Sequence, residues 1–191
     1  MLPPNFYLDA STLDIARQLL GKVIRTEREG QVTSGIINET EAYLGIEDRA
    51  AHSYNDRRTA RTETMYARGG IAYVYLCYGI HEMFNVVVQE EGVPHAILVR
   101  SVIPMEGLDI IHRRRAMTRS KGLSDGPGKL CQALAIDRRM DGITLDSPEL
   151  SLWEEGHRVP QDEIQVGPRI GVDYAGEDAL LPYRFLWQPS Q

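Results

Sequence analysis

Residues 32–43, with the sequence VTSGIINETEAY, contain the pattern that decides how this chain folds. The segment predicts a β-strand, which carries the carboxylates of Glu39 and Glu41 and the phenol of Tyr43. His52 follows after a short polar link. A carboxylate, an aromatic ring and an imidazole are the groups needed to orient a water molecule and to hold a flat ring. The segment therefore predicts a strand that ends in a functional site.

A second aromatic cluster, YVYLCYG at residues 73–79, lies a short way downstream. Strand alternation places Tyr73 and Tyr75 on one face, and Tyr78 stands beside the next turn, where an aromatic ring could wedge between stacked bases. A tyrosine in a strand more often packs a sheet than binds a ligand. The cluster has weight only together with the carboxylates and the histidine. The combination indicates an enzyme that sandwiches a planar group beside an activated water.

The patterns around these clusters predict a mixture of helices and strands. Predicted strands are residues 22–25, 32–43, 71–78, 83–89 and 95–102, with shorter candidates at 150–153 and 184–187. Predicted helices are one that is capped by Asp9 or Ser11 and ended by Gly21, one at 108–117, and one at 128–136 behind Pro127. Residues 79–82 predict a protruding four-residue hairpin connection. No linker, repeat or low-complexity tract divides the chain, so we expect a single domain over residues 1–191.

The composition is ordinary for a soluble globular protein. The chain has 191 residues, of which 42% are hydrophobic and 25% are charged. We expect no membrane span, because no run of about 18 apolar residues occurs. We also expect no secretory signal, because the N-terminus lacks a basic segment followed by an apolar one. The two cysteines, Cys77 and Cys131, lie far apart and predict a reduced, cytoplasmic setting.

The net charge of −6 does not exclude a nucleic acid partner, because the charge is unevenly distributed. Residues 131–191 carry 5 Lys and Arg against 11 Asp and Glu, which accounts for the whole excess. Basic runs occur earlier, for example at residues 57–61 and 113–115. A basic face on an acidic protein can bind phosphates, since screening over roughly 8–10 Å hides distant charge. On charge alone, a solvated helix face is the simpler interpretation of residues 113–115.

Other chemistries leave no signature in the sequence. There is no Gly-x-Ser-x-Gly elbow, no phosphate loop and no Gly-x-Gly-x-x-Gly fingerprint. His81 and Glu82 begin like a zincin helix, but Asn85 stands where the second histidine must be. The five histidines are dispersed, and none pairs with a cysteine at zinc-ligand spacing. We therefore expect no metal and no cofactor, with a metal site assembled across the fold as the alternative.

Five motifs in order along the chain match one enzyme family. They are Asn38-Glu39-Thr40-Glu41-Ala42-Tyr43-Leu44-Gly45, Ala50-Ala51-His52-Ser53, Tyr73-Val74-Tyr75 with Tyr78-Gly79, Asn85, and Gly126-Pro127-Gly128-Lys129-Leu130-Cys131-Gln132-Ala133-Leu134. On these residues the chain resembles the alkyladenine (3-methyladenine) DNA glycosylases of bacteria and mammals. The resemblance extends from about residue 13 to residue 185, and residues 54–65 match only in part. It implies an α+β fold, with a curved, mainly antiparallel sheet flanked by helices and a protruding β-hairpin.

The resemblance also implies a role for each of eight residues. Glu41 is implied to be the general base for the attacking water, and Tyr43, His52 and Tyr75 are implied to surround the flipped base. Asn85 is implied to be a pocket residue that excludes guanine, and Tyr78 to be the side chain that fills the gap in the duplex. Arg100 and Lys129 are implied to lie beside water and phosphate. The implied partner is double-stranded DNA that contains damaged purines. We expect a monomeric bacterial enzyme that acts in the cytoplasm in base-excision repair.

The enzyme is expected to leave an abasic site without cutting the strand. A covalent imine with the sugar needs an amine, and no lysine lies in either aromatic cluster or between Glu39 and His52. Two alternatives stay open at this point. One is a nucleic-acid-binding module without catalysis, in which Glu41 only caps a strand or pairs with a cation. The other is a metal-assisted hydrolase of small nucleosides.

Overall fold

The computed structural model describes residues 1–189, which form an α+β fold with an eight-stranded sheet and flanking helices. The strands are β1 (Val23–Arg28), β2 (Gln31–Tyr43), β3 (Ala72–Cys77), β4 (His81–Val88), β5 (His95–Pro104), β6 (Leu150–Trp153), β7 (Ile164–Gly167) and β8 (Arg184–Trp187). The α-helices are α1 (Thr12–Gln18), α2 (Leu108–Arg115) and α3 (Pro127–Leu134). Short 3₁₀ segments are Pro4–Tyr7, Gly45–Glu47, Tyr54–Asp56, Glu63–Tyr66, Arg138–Met140, Gln161–Glu163 and Asp173–Leu180.

The strands run in the order β3-β4-β5-β2-β1-β6, and β8 pairs with both β2 and β7. Every pairing of these strands is antiparallel. The 13-residue strand β2 organises the sheet, because it pairs with β5 along one edge and with β1 and then β8 along the other. The sheet curls into a half-barrel. The predicted curved, mainly antiparallel sheet flanked by helices is therefore confirmed.

The local signals in the sequence explain where the helices begin. Ser11 rather than Asp9 caps α1, since the Ser11 hydroxyl accepts a hydrogen bond from the amide of Asp14 at 3.2 Å. Pro127 begins α3, where a missing amide hydrogen costs nothing. After α1, Gly21 has φ of +83°, and a Cβ there would lie 2.7 Å from the carbonyl oxygen of His157. Only glycine fits this turn.

Alternation along the strands gives the sheet two different faces. One face packs against the helices and forms the main hydrophobic core, to which β3, β4 and β5 contribute Val74, Phe84 and Ile97. The neighbouring residues, such as Tyr73 and Ala96, point to the opposite face and belong to a separate small cluster. The first face stabilises the fold, and the second is available for a binding site.

Two details of the predicted strands were wrong. Cys77 pairs with His81, so the hairpin connection has three residues, 78–80, instead of the predicted four at 79–82. Tyr78 itself lies in this turn with φ of +50°, and its side chain is 90% exposed. The protruding β-hairpin is nevertheless present. Strand β7 (Ile164–Gly167) escaped prediction, because none of its residues is buried, unlike those of the equally short β6 and β8, and it therefore lacks an apolar pattern.

The last of these strands pairs with the central strand β2. Strand β8, at residues 184–187, pairs with residues 39–41 of β2. The predicted domain boundaries of 1–191 stay a prediction, because residues 190 and 191 lie outside the described part of the chain. Within residues 1–189, no helix combines the length and the apolar character needed to cross a membrane.

Candidate active site

One row of paired residues crosses the second face of the sheet. It runs over five neighbouring strands through Tyr73, Asn85, Leu98, Glu41 and Arg184. Directly opposed residues in a sheet project from the same face, so the alternation of each strand gathers these side chains. The strand register thus brings the two sequence clusters, which are about 30 residues apart, onto one surface.

This surface forms one wall of a cavity of about 990 Å³. The opposite wall comes from two loops, residues 49–61 and 170–174. The sheet contributes Tyr43, Tyr73, Tyr75, Met83, Asn85, Ala96, Leu98 and Arg100, and the loops contribute Arg49, Ala50, His52, Arg57, Arg61, Ile170 and Tyr174, among others. Six of the eight predicted site residues line this cavity, namely Tyr43, His52, Tyr75, Tyr78, Asn85 and Arg100.

The two other predicted residues, Glu41 and Lys129, are not among the lining residues. Glu41 is completely buried directly behind the cavity wall, where its carboxylate contacts the lining residues Tyr43, Arg100 and Ile170. Lys129 pairs with Asp125 at 2.7 Å near the start of α3 and is not brought to the other site residues.

The carboxylate of Glu41 is held by three donors. The Tyr43 hydroxyl donates to Oε2 at 2.8 Å, and the Ile170 amide donates to Oε1 at 2.8 Å. The guanidinium of Arg100 lies 3.4 Å from Oε1. Each carboxylate oxygen has two acceptor positions, so Oε2 keeps capacity for one further donor, such as a water molecule. The carboxylate is therefore fixed in place and still able to accept a hydrogen bond.

An irregularity in the sheet places Arg100 beside the carboxylates. The pairing of β2 with β5 skips a residue between Ser101 and Val99, so Arg100 is a bulge residue without a partner on β2. Its Nε donates to Glu39 at 3.1 Å while Nη1 lies near Glu41. A bulge re-aims a side chain in this way without breaking the rest of the ladder.

The environment of Glu41 has opposing effects on its pKa. Burial raises the pKa above the usual value, while Arg100, the Ile170 amide and the Tyr43 hydroxyl each lower it. The net direction is upward, because desolvation is the largest effect. A buried carboxylate with a raised pKa accepts a proton more readily than an exposed one, which suits a general base.

The aromatic side chains of the cavity form a connected group. The rings of His52 and Tyr75 meet edge to face, with centroids 4.6 Å apart, and the rings of Tyr73 and Tyr75 lie 5.4 Å apart with a tilt of 33°. The Tyr73 hydroxyl contacts Nδ1 of His52 at 3.0 Å. Tyr43 lines the same cavity from β2. Such a set of rings can hold a flat, apolar-faced ligand.

His52 is neutral at physiological pH. Burial and the nearby charges of Arg61 and Arg57 lower its pKa to about 4. A neutral imidazole has one donor and one acceptor nitrogen, so with Nδ1 engaged by Tyr73 its Nε2 is left for a ligand. His52 therefore serves as a hydrogen-bonding wall of the cavity and not as a cation.

Asn85 is held rigidly against the sheet. Its side-chain amide donates to the carbonyl of Tyr73 at 3.1 Å and approaches that of Met83 at 3.4 Å. Both amide hydrogens therefore face the backbone, and the carboxamide cannot rotate freely without losing these bonds.

Sequence reasoning missed a buried ion pair that ties the cavity wall together. Arg169 and Asp48 form a bidentate pair, and both side chains are almost completely buried. Arg169 also donates to the carbonyl of Ala42 at 2.9 Å, and its guanidinium lies 4.8 Å from the Tyr43 ring centroid. The next residue, Ile170, donates its amide to Glu41. No local pattern could reveal this pair, because its members are 121 residues apart.

Two exposed residues at the cavity mouth were also missed. Tyr174 is 70% exposed, and its hydroxyl donates to the carbonyl of Ala50 at 3.1 Å. The Arg61 guanidinium lies 5.0 Å from the centroid of the Tyr75 ring. We refer below to Glu39, Glu41, Arg100, Asp48 and Arg169 as the floor, and to Arg57, Arg61, Tyr78 and Tyr174 as the rim. An arginine run was the signal in the sequence for Arg61, and no local pattern marked Tyr174.

Metal chemistry finds no support in the side-chain clusters. Among residues 1–189, no group of three or more His, Cys, Asp or Glu side chains is arranged to hold a metal ion. Glu39 and Glu41, the two carboxylates of the floor, instead face arginines: Glu39 accepts from Arg184 at 2.6 Å and from Arg100. Their charges are compensated within the protein.

Comparison with known proteins gives a consistent result. The family model described as Methylpurine-DNA glycosylase (MPG) matches residues 5–191. Among curated relatives named "Putative 3-methyladenine DNA glycosylase", one from Chlamydia abortus is 48% identical over 188 residues, which cover 97% of each chain. One from Desulfitobacterium hafniense is 45% identical over 98% of this chain and 95% of its own. One from Bacillus cereus is 43% identical over 97% of this chain and 95% of its own. The predicted resemblance is confirmed, and the chain belongs to the methylpurine-DNA glycosylase family.

Proposed function

We propose that this chain flips damaged purines out of duplex DNA and hydrolyses their N-glycosidic bond with a water that Glu41 activates. Membership in the family makes the chain a DNA glycosylase of DNA repair, a hydrolase of N-glycosyl bonds. The residue roles rest on one observation above all: the Tyr43 hydroxyl, on the wall of an aromatic cavity, binds a fully buried carboxylate. That bond joins a ring-binding slot to a group that accepts protons.

The aromatic walls are proposed to bind the everted base. Chemistry on a base in a duplex requires its extrusion, which costs a few kcal/mol and least for a damaged or mispaired base. Stacking on Tyr43 and Tyr75 offsets this cost by about 1–3 kcal/mol per base. The neutral His52 offers a hydrogen bond to the base edge without adding a positive charge to the slot. The cavity of about 990 Å³ has room for a purine nucleotide.

The floor is proposed to perform the bond cleavage. As the bond from C1′ to the base nitrogen breaks, its electron pair leaves with the base, and the sugar becomes oxocarbenium-like. The negative charge of Glu41 stabilises that state, and its carboxylate takes a proton from the water whose oxygen bonds to C1′. A base made cationic by alkylation leaves as a neutral purine. Arg100 is proposed to orient the water and the phosphate of the everted nucleotide.

Recognition around the slot is assigned to three further residues. Tyr78, at the exposed hairpin turn, is proposed to fill the gap that the everted base leaves in the stack. Asn85 is proposed to exclude guanine by steric contact with the 2-amino group of that base. Its carboxamide cannot move aside, because both amide hydrogens already face backbone carbonyls. Lys129 is proposed to contact a phosphate outside the cavity. A monomer acting in the bacterial cytoplasm stays a prediction.

The direct test is a panel of duplexes, each with one lesion: 3-methyladenine, 7-methylguanine, hypoxanthine or ethenoadenine. Incubation in EDTA should release free base from at least one duplex and leave an alkali-labile abasic site. Binding without base release would favour the alternative of a non-catalytic binding module. Loss of activity in EDTA, together with cleavage of free nucleosides, would favour the metal-assisted nucleoside hydrolase.

A second experiment tests the proposal that the enzyme does not cut the strand. Reduction with borohydride during turnover should trap no covalent complex, because no lysine lies in either aromatic cluster. A trapped adduct, or strand cleavage without alkali, would show that an amine attacks C1′. The nucleophile would then be an amine of the protein and not water.

A further inference from the structure

The Arg61 side chain occupies an unusual position at the rim. Its guanidinium lies 5.0 Å from the centroid of the Tyr75 ring, and both residues line the cavity. A guanidinium is planar, delocalised and weakly hydrated, so it stacks on an aromatic face as a flat base does. Within the cavity, Arg61 therefore covers a ring that is proposed to bind the everted base.

Weak contacts hold Arg61 in this position. Within residues 1–189 it has no ion-pair partner, whereas the nearby Arg58 pairs with Glu63 through two hydrogen bonds. A cation–π contact at an exposed site contributes only about 0.5–1 kcal/mol. A purine that stacks on the same ring gains more than that. The arginine can therefore give way to a base at a small cost.

The charge of Arg61 remains near the slot after such an exchange. The Tyr75 ring, over which Arg61 lies, is 4.6 Å from the His52 ring between centroids, so the guanidinium lies beside that wall of the cavity. Burial first and then the charge of Arg61 lower the pKa of His52. Burial raises the pKa of Tyr73, and the charge of Arg61 lowers it. A positive charge in this partly dry space repels a cationic base and leaves a neutral base unaffected.

We propose that Arg61 is a specificity-determining residue, which competes with the everted base for the Tyr75 ring and disfavours cationic purines relative to neutral ones. The proposal rests on the proposed function, since it assumes that Tyr75 binds the base. It goes beyond that function because it predicts a preference between two chemical classes of lesion, alkylated cations and deaminated neutral bases.

The test compares kcat/KM for duplexes with 7-methylguanine, which is cationic, and hypoxanthine, which is neutral. Arg61→Gln should raise the ratio of the first to the second about three- to tenfold, as expected for removal of a cation beside a stacked ring. Arg61→Lys keeps the charge and loses the planar stack, so it should leave the ratio near that of the wild type and lower KM for both duplexes. An unchanged ratio in Arg61→Gln would overturn the proposal.

Arg57→Gln is the matched control. Arg57 also lines the cavity and lowers the pKa of His52, but it does not stack on Tyr75. Its substitution should change the ratio much less than Arg61→Gln does, because its guanidinium does not lie over the ring that is proposed to bind the base. An equal change would overturn the assignment to Arg61 and show that the summed charge of the rim sets the preference. Absence of base release by the wild type would refute the proposed function, whereas release with an unchanged ratio would refute only the role of Arg61. By NMR, the pKa of His52 should rise in Arg61→Gln; no rise would place Arg61 away from the slot.

Discussion

The floor and the rim use the same residue types in opposite ways. In the floor, Arg169 is buried and Arg100 is largely covered, both are paired with carboxylates, and Glu41 has no exposed surface. At the rim, Arg57 and Arg61 are exposed, and the Tyr78 side chain is 90% exposed. Buried groups that several bonds hold in place keep one geometry, whereas exposed groups can rearrange around a ligand. The contrast supports the proposal that the floor performs the chemistry and that the rim recognises DNA.

The largest expected effect of any substitution is that of Glu41→Gln in the floor. The amide keeps the shape of the side chain but cannot take a proton from water, and it carries no charge to stabilise an oxocarbenium-like sugar. Single-turnover base release should fall by at least about 10²–10⁴-fold. Titration with a lesion duplex should give an affinity near that of the wild type. Excision at the wild-type rate would mean that another residue is the base.

The next largest effect is on stability, and it separates buried from exposed ion pairs. Arg169→Gln leaves the buried Asp48 carboxylate without its partner, which should lower the free energy of unfolding by about 3–5 kcal/mol. The control is Arg58→Gln, which breaks the exposed pair with Glu63 and should leave the free energy of unfolding nearly unchanged, because solvent screens such a pair. Denaturant unfolding followed by circular dichroism measures both. Equal losses in the two variants would remove the distinction between buried and exposed ion pairs.

The rim should affect binding without affecting stability. Tyr78→Ser removes an exposed ring that packs on nothing in the free protein, so the unfolding free energy should not change. Affinity for a lesion duplex should weaken by about 1–3 kcal/mol, the value of one stacked ring. Tyr78→Phe keeps the ring and should bind like the wild type. Unchanged affinity of Tyr78→Ser in a fluorescence titration would refute its assignment as the wedge.

The smallest expected effect is a shift in the pH dependence of base release. Because the Tyr43 hydroxyl lowers the pKa of Glu41, Tyr43→Phe should raise that pKa while keeping the ring. Base release needs the carboxylate form of Glu41. On acidification, Tyr43→Phe should therefore lose activity at a higher pH than the wild type does. Tyr75→Phe is the control, since no hydrogen bond joins its hydroxyl to Glu41. An equal displacement in both variants, or none in Tyr43→Phe, would contradict the role of this bond.

Sequence patterns revealed the site residues that occur in short local motifs. Glu41 and Tyr43 share one strand, and Tyr75 and Tyr78 share one hairpin, so spacing alone placed each pair near the other. The strand β2 and the N-terminal ends of α1 and α3 were predictable for the same reason, because their signals lie within a few residues.

The rest of the site depends on contacts between distant residues. The donor to Glu41 from Ile170 is a backbone amide 129 residues away, and any residue type except proline could supply it. The pairing of Asp48 with Arg169 likewise leaves no local period. The complete burial of Glu41 follows from the closure of residues 169–172 over β2, and a sequence pattern cannot show such a closure.

The central claim is that the buried carboxylate of Glu41 faces the sugar of a nucleotide held in the aromatic slot. A crystal structure of Glu41→Gln bound to a duplex with one hypoxanthine tests this directly. The account predicts an everted hypoxanthine between Tyr43 and Tyr75, with the substituted side chain at position 41 within one water molecule of C1′, on the order of 3 Å for each hydrogen bond. An unflipped base, or a side chain at position 41 still sealed from C1′ behind Tyr43 and Arg100, would contradict it.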